Sequence, residues 1–223
     1  MRKHLLHIIV VGLLIGFFGY VGYRDMVYDK STVIEHKLVA AKTVTTETTA
    51  TQNPAETAKQ LGYQRAAIAV QEYQKNVYEA PRGCNCGPEV DKYTEGLHAQ
   101  WCTMFVSWVT KEAGAPLKDD KTGSWKLTNS RQLATYLEKH GTWYSAAEAQ
   151  QKNLQPRVGD MVIFWRGDFE DNLGHATIVV NIDKADGTAD LVGGNQKDHV
   201  ALSQDFPWLH NYGLLGFGRP EKD

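Results

Sequence analysis

The chain has 223 residues, a formal net charge of −2 and three cysteines. A chain of this length holds one domain of ordinary size together with additional segments. The near-neutral charge excludes the strongly basic surface that nucleic-acid binding requires, so no nucleic-acid partner is expected. Three cysteines are too few for a scaffold that is built from disulfides. Neither the charge nor the composition indicates an oligomeric state.

The N-terminus combines a basic tip with a long apolar run. Arg2 and Lys3 precede an almost unbroken apolar stretch from Leu5 to Tyr23. About 20 apolar residues suffice for a helix that crosses a bilayer, and no clear small-x-small cleavage site follows the run. Residues 1–24 are therefore interpreted as a cytoplasmic tip and an uncleaved transmembrane signal-anchor, with the N-terminus inside. A cleaved signal peptide is the alternative.

A linker is predicted between this segment and the globular domain. Within residues 25–57, the stretch from Lys42 to Thr57 is rich in Thr and Ala and has little apolar bulk. Such a stretch cannot bury enough surface to fold alone, so residues 25–57 are interpreted as a flexible, Thr-rich linker. Apolar side chains among good helix formers begin at Ala58, and residues 58–223 are predicted to form the domain.

A helix that begins near Cys102 is the central element of the predicted domain. Apolar side chains recur on one side of residues 102–113 at the helical period, and Gly114 is a typical helix end. Cys102 therefore lies in the first turn and faces inward. Unpaired backbone N–H groups and the helix dipole stabilise a thiolate at that position. The alternative is a small buried core residue, the commoner role of a lone cysteine.

The second half of the domain has the pattern of strands. Short apolar or β-branched runs occur at residues 161–165, 175–182, 188–192, 200–203 and 212–217. Helices followed by strands predict an α+β fold, with an antiparallel sheet packed on the cysteine helix. His175 opens one strand directly after a glycine, and Asn195 follows another strand after two glycines. Taken singly, each of the two is more often a structural residue than a catalytic one.

Together, these segments resemble the CHAP family of cysteine, histidine-dependent amidohydrolases/peptidases, a branch of the papain-like bacterial cell-wall hydrolases. The resemblance covers about residues 58–220, and the matching segments are residues 87–93, 101–108, 158–160, 174–175 and 193–196. It implies a papain-like fold and cleavage of amide bonds in peptidoglycan, by endopeptidase or N-acetylmuramoyl-L-alanine amidase action. Many relatives carry Glu two positions before the asparagine, where this chain has Gly193.

The resemblance also implies separate roles for three residues. Cys102 would attack the carbonyl carbon as a thiolate, and His175 would form an ion pair with it and then protonate the leaving amine. Asn195 would accept a hydrogen bond from the other ring nitrogen and orient the imidazole. Such an ion pair predicts a bell-shaped pH dependence. No metal or cofactor is expected, and the further candidates for oxyanion or substrate contacts are Asn85, Trp101 and Trp165.

The implied substrate sets the expected location, because peptidoglycan exists only outside the cytoplasmic membrane. We expect a single-pass protein of the bacterial cytoplasmic membrane whose catalytic domain is extracytoplasmic, on the cell-wall side. Its expected partners are the peptidoglycan substrate and the membrane, which the N-terminal helix would cross.

Two rival interpretations stay open. One is a zinc-stabilised module, since a set of suitable ligand types exists in Cys84, Cys86, His98 and Cys102. The Cys-x-Cys spacing is shorter than common zinc motifs, and these two cysteines could instead form a disulfide or stay as free thiols. The other rival is a non-catalytic wall-binding module, which would need neither a reactive cysteine nor a histidine base.

Overall fold

The structure is a computed structural model that describes residues 53–166 and 173–222. The predicted signal-anchor at 1–24 and nearly all of the predicted linker at 25–57 lie outside these residues. Within the described part of the chain, no helix is both long enough and apolar enough to cross a membrane. All of the described residues belong to one compact unit, Thr48–Asp223.

Helices dominate the first half of the described chain and strands the second half. The helices are α1 (Pro54–Gln74), α2 (Asp91–Thr94), α3 (Cys102–Glu112), α4 (Ser130–His140) and α5 (Ala146–Lys152), with a 3₁₀ turn at Trp208–His210. The strands are β1 (Thr142–Ser145), β2 (Met161–Trp165), β3 (Gly174–Asp183), β4 (Thr188–Gly193), β5 (Ala201–Phe206) and β6 (Leu214–Arg219). This arrangement confirms the predicted α+β class.

The strands form a six-stranded antiparallel sheet in the order β1-β6-β2-β3-β4-β5. Helices α1 and α3 both pack on β3, so the cysteine helix lies against the sheet as predicted. The edge strand β1 is not predicted by the sequence. It has only four residues, all half-buried, and it lies between two helices, so it has no alternating pattern to reveal it.

Helix α1 begins at Pro54, four residues before the predicted domain boundary at Ala58. Asn53 caps the helix, since its side chain accepts a hydrogen bond from the backbone N–H of Ala55 at 3.1 Å. An asparagine N-cap followed by proline at the first helical position is a strong start signal. The Thr- and Ala-rich composition of the segment obscured that signal. The first helix therefore begins within the stretch that is predicted as linker.

The turn before β2 joins α1 to the sheet at very close range. Gly159 has a φ of +88°, and a Cβ atom there would lie 2.0 Å from the carbonyl oxygen of Gly62 in α1. Only glycine allows both this backbone conformation and this approach. The carbonyl oxygen of Gly159 accepts from Nε of Arg65 at 2.9 Å, and its N–H donates to the carbonyl oxygen of Val179 at 2.7 Å. The segment at 158–160 is thus a structural joint.

Two buried ion pairs complete this joint. Arg219, at the end of β6, donates from Nη1 to both carboxylate oxygens of Asp160 at 2.9 and 3.1 Å. Arg65 donates to the two carboxylate oxygens of Glu221 at 2.6 and 2.9 Å. Burial raises the pKa of the Asp160 carboxyl to about 6, while the charge of Arg219 acts in the opposite direction. Strand β2 therefore begins at a fixed, charged anchor.

Candidate active site

Cys102 is the first residue of α3, and its side chain is only 7% exposed. The N-cap residue is Trp101, whose side chain can only donate, so it cannot accept a hydrogen bond from the first-turn N–H groups. The sulfur of Cys102 lies 3.8 Å from the carbonyl oxygen of Gly174 and 3.9 Å from Oγ1 of Thr103. Because Gly174 directly precedes His175, the helix start and the start of β3 meet at the thiol.

His175 is the second residue of β3, where it pairs with Phe164 of β2. Its side chain is 4% exposed. Burial lowers the pKa of His175 to about 3, and the positive charge of Arg166 adds to this effect. The imidazole is therefore neutral at neutral pH.

Gln196 is the residue that contacts the His175 ring. Its amide nitrogen lies 3.0 Å from Nε2 of His175, and Oγ of Ser203 lies 3.4 Å from its Oε1. The sequence interpretation missed Gln196, although it belongs to the segment at 193–196 that carries the family resemblance. The sequence feature that could have indicated Gln196 was Gly193. This glycine has no side chain at the position where many relatives carry an acidic residue.

Asn195, predicted to orient the histidine, is engaged elsewhere. Its amide lies 3.0 Å from Oδ1 of Asn85 and 2.9 Å from Oε1 of Gln100. A left-handed backbone, with φ of 55°, turns its side chain away from the direction in which the next residue points. The ring contact in the structure is made by Gln196, and the orienting role of Asn195 stays a prediction that this geometry does not favour.

The side chain of Asn195 instead holds the start of the cysteine helix. The amide of Asn195 can adopt two orientations that exchange its oxygen and its nitrogen. In one of them, Oδ1 accepts from the backbone N–H of Trp101 at 3.0 Å and Nδ2 donates to Oε1 of Glu79 at 3.2 Å. Glu79 is 3% exposed and also accepts from Nε1 of Trp101 at 2.8 Å. This network fixes the residue directly before Cys102, so Asn195 supports the site through the backbone.

The three further candidates from the sequence have different surroundings. Trp101 is fully buried and its ring stacks on Tyr93 with centroids 5.5 Å apart, so no part of its side chain is exposed to a ligand in this structure. Asn85 donates its backbone N–H to Oε2 of Glu79 at 2.9 Å, and its side-chain amide faces Asn195. Trp165 is half-buried at the end of β2. It is placed where a ligand can reach it.

Cys84 and Cys86 form a disulfide, which leaves Cys102 as the free cysteine of the three. The proposed zinc ligand set needs both sulfurs as thiolates, and the disulfide removes them from that set. Among the described residues, no group of three or more His, Cys, Asp or Glu side chains has the arrangement of a metal site.

A cavity of about 780 Å³ opens beside His175. Gln196 and Ser203 line this cavity. Its lining also includes the aromatic pair Trp165 and Tyr212, whose ring centroids are 5.2 Å apart, and the cationic side chains of Arg166 and Lys197. None of the described residues that line the cavity is an aspartate or a glutamate. The described part of the lining therefore carries two cations and no carboxylate.

The sequence matches the model of the CHAP domain over residues 92–195. A comparison with curated proteins finds no match. The matched region contains Cys102, His175 and Asn195 and ends one residue before Gln196. CHAP domains are in general amidohydrolases or peptidases that act on peptidoglycan. The family match over residues 92–195, which include Cys102 and His175, is consistent with a CHAP domain protein.

Proposed function

We propose that the protein is a thiol-dependent hydrolase that cleaves amide bonds in peptidoglycan, as an endopeptidase or as an N-acetylmuramoyl-L-alanine amidase. One observation carries this proposal. The free thiol of Cys102, at the first residue of α3, lies 3.8 Å from the residue that precedes the buried, neutral His175. A thiol at a helix start and a histidine at the start of the adjoining strand are the two groups that acyl transfer by a cysteine requires.

The reaction follows from these two groups. His175 takes the thiol proton as the sulfur of Cys102 attacks the carbonyl carbon, and the backbone N–H at the helix start faces the developing oxyanion. The imidazolium then gives its proton to the leaving amine as the carbon–nitrogen bond breaks. Water hydrolyses the resulting thioester and restores the thiol. Burial favours the neutral imidazole and so acts against the expected thiolate–imidazolium pair.

The cavity beside His175 supports a substrate of the peptidoglycan type. Stem peptides carry free carboxylates, and the cationic side chains of Arg166 and Lys197 line this cavity. The Trp165 and Tyr212 rings supply an apolar surface at the same place. An acidic peptide would therefore be held next to the base.

We further propose that the domain acts outside the cytoplasm, anchored to the membrane by residues 1–24. The apolar run in that segment supports an anchor. The Cys84–Cys86 disulfide supports the location, because such bonds persist mainly in oxidising compartments. Detergent-dependent extraction of full-length protein from membranes tests the anchor. Mature protein that is released without its first residues would point to a cleaved signal peptide instead.

The decisive experiment is digestion of purified peptidoglycan by the detergent-solubilised full-length protein, with the released muropeptides identified by mass spectrometry. The mass changes distinguish endopeptidase from amidase products. Cys102→Ala should abolish release while the circular dichroism spectrum stays that of the native fold. Full turnover by this variant would contradict the mechanism. Sedimentation with the wall and no released product from the native protein would support a binding module instead.

A further inference from the structure

We propose that Gln196 is the positioning residue for His175 and that Gly193 provides the space in which its amide reaches the ring. This inference rests on the proposed function, because positioning matters only if His175 acts as a base. Gln196 would hold the imidazole in the tautomer that can take the thiol proton. It would do so as a neutral amide.

The first support is the contact itself. The amide of Gln196 lies 3.0 Å from Nε2 of His175, and Ser203 lies on the far side of the same amide at 3.4 Å. Gln196 is thus held between the ring and a hydroxyl group. A side chain that is bound at both ends loses rotational freedom, which is what a positioning residue needs.

The second support is the space at Gly193. A Cβ atom there would lie 2.8 Å from Nε2 of Gln196, 3.0 Å from Nε2 of His175 and 3.0 Å from Cγ2 of Thr177. Gly193 lies in strand β4, paired with Ala201, so this position requires a glycine for space and not for a turn. Any side chain at 193 would compete with the Gln196 amide for the ring.

The orientation of the Gln196 amide decides the tautomer. If Oε1 faces the ring, Nε2 of His175 carries the proton and donates it, and Nδ1 is left with a free lone pair for the thiol proton. If the amide nitrogen faces the ring, the proton resides on Nδ1, which then cannot act as a base. The structure places the amide nitrogen on the ring and Oε1 near Oγ of Ser203. The proposal therefore requires the amide turned by about 180°, so that Oε1 accepts from Nε2–H, and Ser203 tolerates that turn because its hydroxyl can donate or accept.

Gln196→Ala tests the proposal in the full-length protein. We expect kcat on purified peptidoglycan to fall about 10–100-fold and KM to stay unchanged. This loss is a part of the rate acceleration of about 10²–10⁴-fold that general acid–base catalysis contributes. In protein labelled with ¹⁵N-histidine, nuclear magnetic resonance should show the Nε2–H tautomer of His175 in the native protein and a mixture in the variant. Gln151→Ala removes the same group from an exposed site on α5 and should change neither quantity.

Two more variants separate positioning from a structural role. Gly193→Ala should lower kcat like Gln196→Ala, since the added methyl group displaces the amide, and the double variant should be no worse than either single one. Gln196→Glu should keep the position but add a charge that favours the imidazolium. The acid limb of its kcat/KM profile should therefore move to higher pH.

An unchanged kcat and an unchanged tautomer in Gln196→Ala would overturn the proposal. So would a tautomer in the native protein with the proton on Nδ1. Additive losses in the double variant would likewise show that Gly193 and Gln196 act independently. The tautomer is measured without substrate, so the spectra test the positioning role independently of activity. If the native protein lacks hydrolase activity, only the proposed function is overturned, and the spectra still decide whether Gln196 positions His175.

Discussion

The two ends of strand β2 bury polar groups in opposite ways. At its start, Asp160 is bound by the guanidinium of Arg219. At its other end, Phe164 pairs with His175, whose ring contacts the neutral amide of Gln196. Both ends are nearly inaccessible to water, since Asp160 is 1% exposed and His175 is 4% exposed. The difference teaches that the partner decides how burial acts on a polar group: the charge of Arg219 opposes the effect of burial on the pKa of Asp160, whereas the neutral amide of Gln196 brings no charge to oppose it at His175.

The largest expected effect comes from removing the base. His175→Ala should lower kcat on peptidoglycan by at least about 10²–10⁴-fold, because proton transfer from the thiol and to the leaving amine is lost. The matched control is His98→Ala, which alters an exposed histidine close to Cys102 in the sequence. Equal losses in the two variants, with native circular dichroism spectra, would contradict the distinction between the ends of β2.

Next in size is the loss of the charged anchor. Asp160→Asn removes the carboxylate charge that faces the buried Arg219 and should lower the free energy of unfolding by about 3–5 kcal/mol. Urea denaturation measures this change, and Glu138→Gln, at an exposed carboxylate on α4, is the control. The kcat per folded molecule should stay near that of the native protein. A variant that is stable but inactive would show that the anchor acts on the chemistry.

A smaller effect is expected in the pH dependence of stability. The pKa of His175 is lowered from 6.5 to about 3, so between these values the unfolded chain binds the proton more tightly. Acidification through this window should cost up to about 1.4 kcal/mol per pH unit. The pKa of Asp160 is raised from 3.8 to about 6, so the folded state binds this proton more tightly than the unfolded chain does. Through this group, acidification between these values raises the free energy of unfolding.

His175→Ala should therefore lose less stability than the native protein when the pH is lowered from 7 to 5. Urea unfolding of both proteins at the two pH values measures the difference. Identical losses would mean that the His175 ring is not kept neutral by its surroundings.

The smallest expected effect concerns substrate binding. Tyr212 is 88% exposed and its ring lies beside that of Trp165 at the cavity. Tyr212→Ala should raise KM about threefold to tenfold with kcat unchanged, as expected for one exposed aromatic contact. Leu97→Ala removes an exposed apolar side chain outside the cavity lining and is the control. A fall in kcat without a change in KM would argue that Tyr212 affects the chemistry.

The sequence predicted those parts of the molecule that local patterns encode. Helix periodicity placed Cys102 in a first turn, and a β-branched run after glycine placed His175 at a strand start. The α+β class followed from the order of these elements. Each of these features depends on residues that are close together in the chain.

The sequence did not predict the features that depend on side-chain direction or on distant neighbours. Asn195 and Gln196 are adjacent, Asn195 has a left-handed backbone, and only the structure shows that Gln196 is the one that meets the imidazole. The burial of Trp101 depends on Tyr93, and the capping of α1 by Asn53 was obscured by a low-complexity composition. Such features follow from the packed structure and not from residue spacing.

The disulfide in the loop before α2 has a practical consequence for counting active molecules. Because it consumes two of the three sulfurs, the oxidised chain offers a single alkylation site, and that site is Cys102. The molar amount of a thiol-directed label incorporated under non-reducing conditions therefore equals the number of accessible nucleophiles in a preparation. The specific activity can then be calculated per mole of labelled Cys102 and not per mole of total protein. No other cysteine has to be removed by mutation for this purpose.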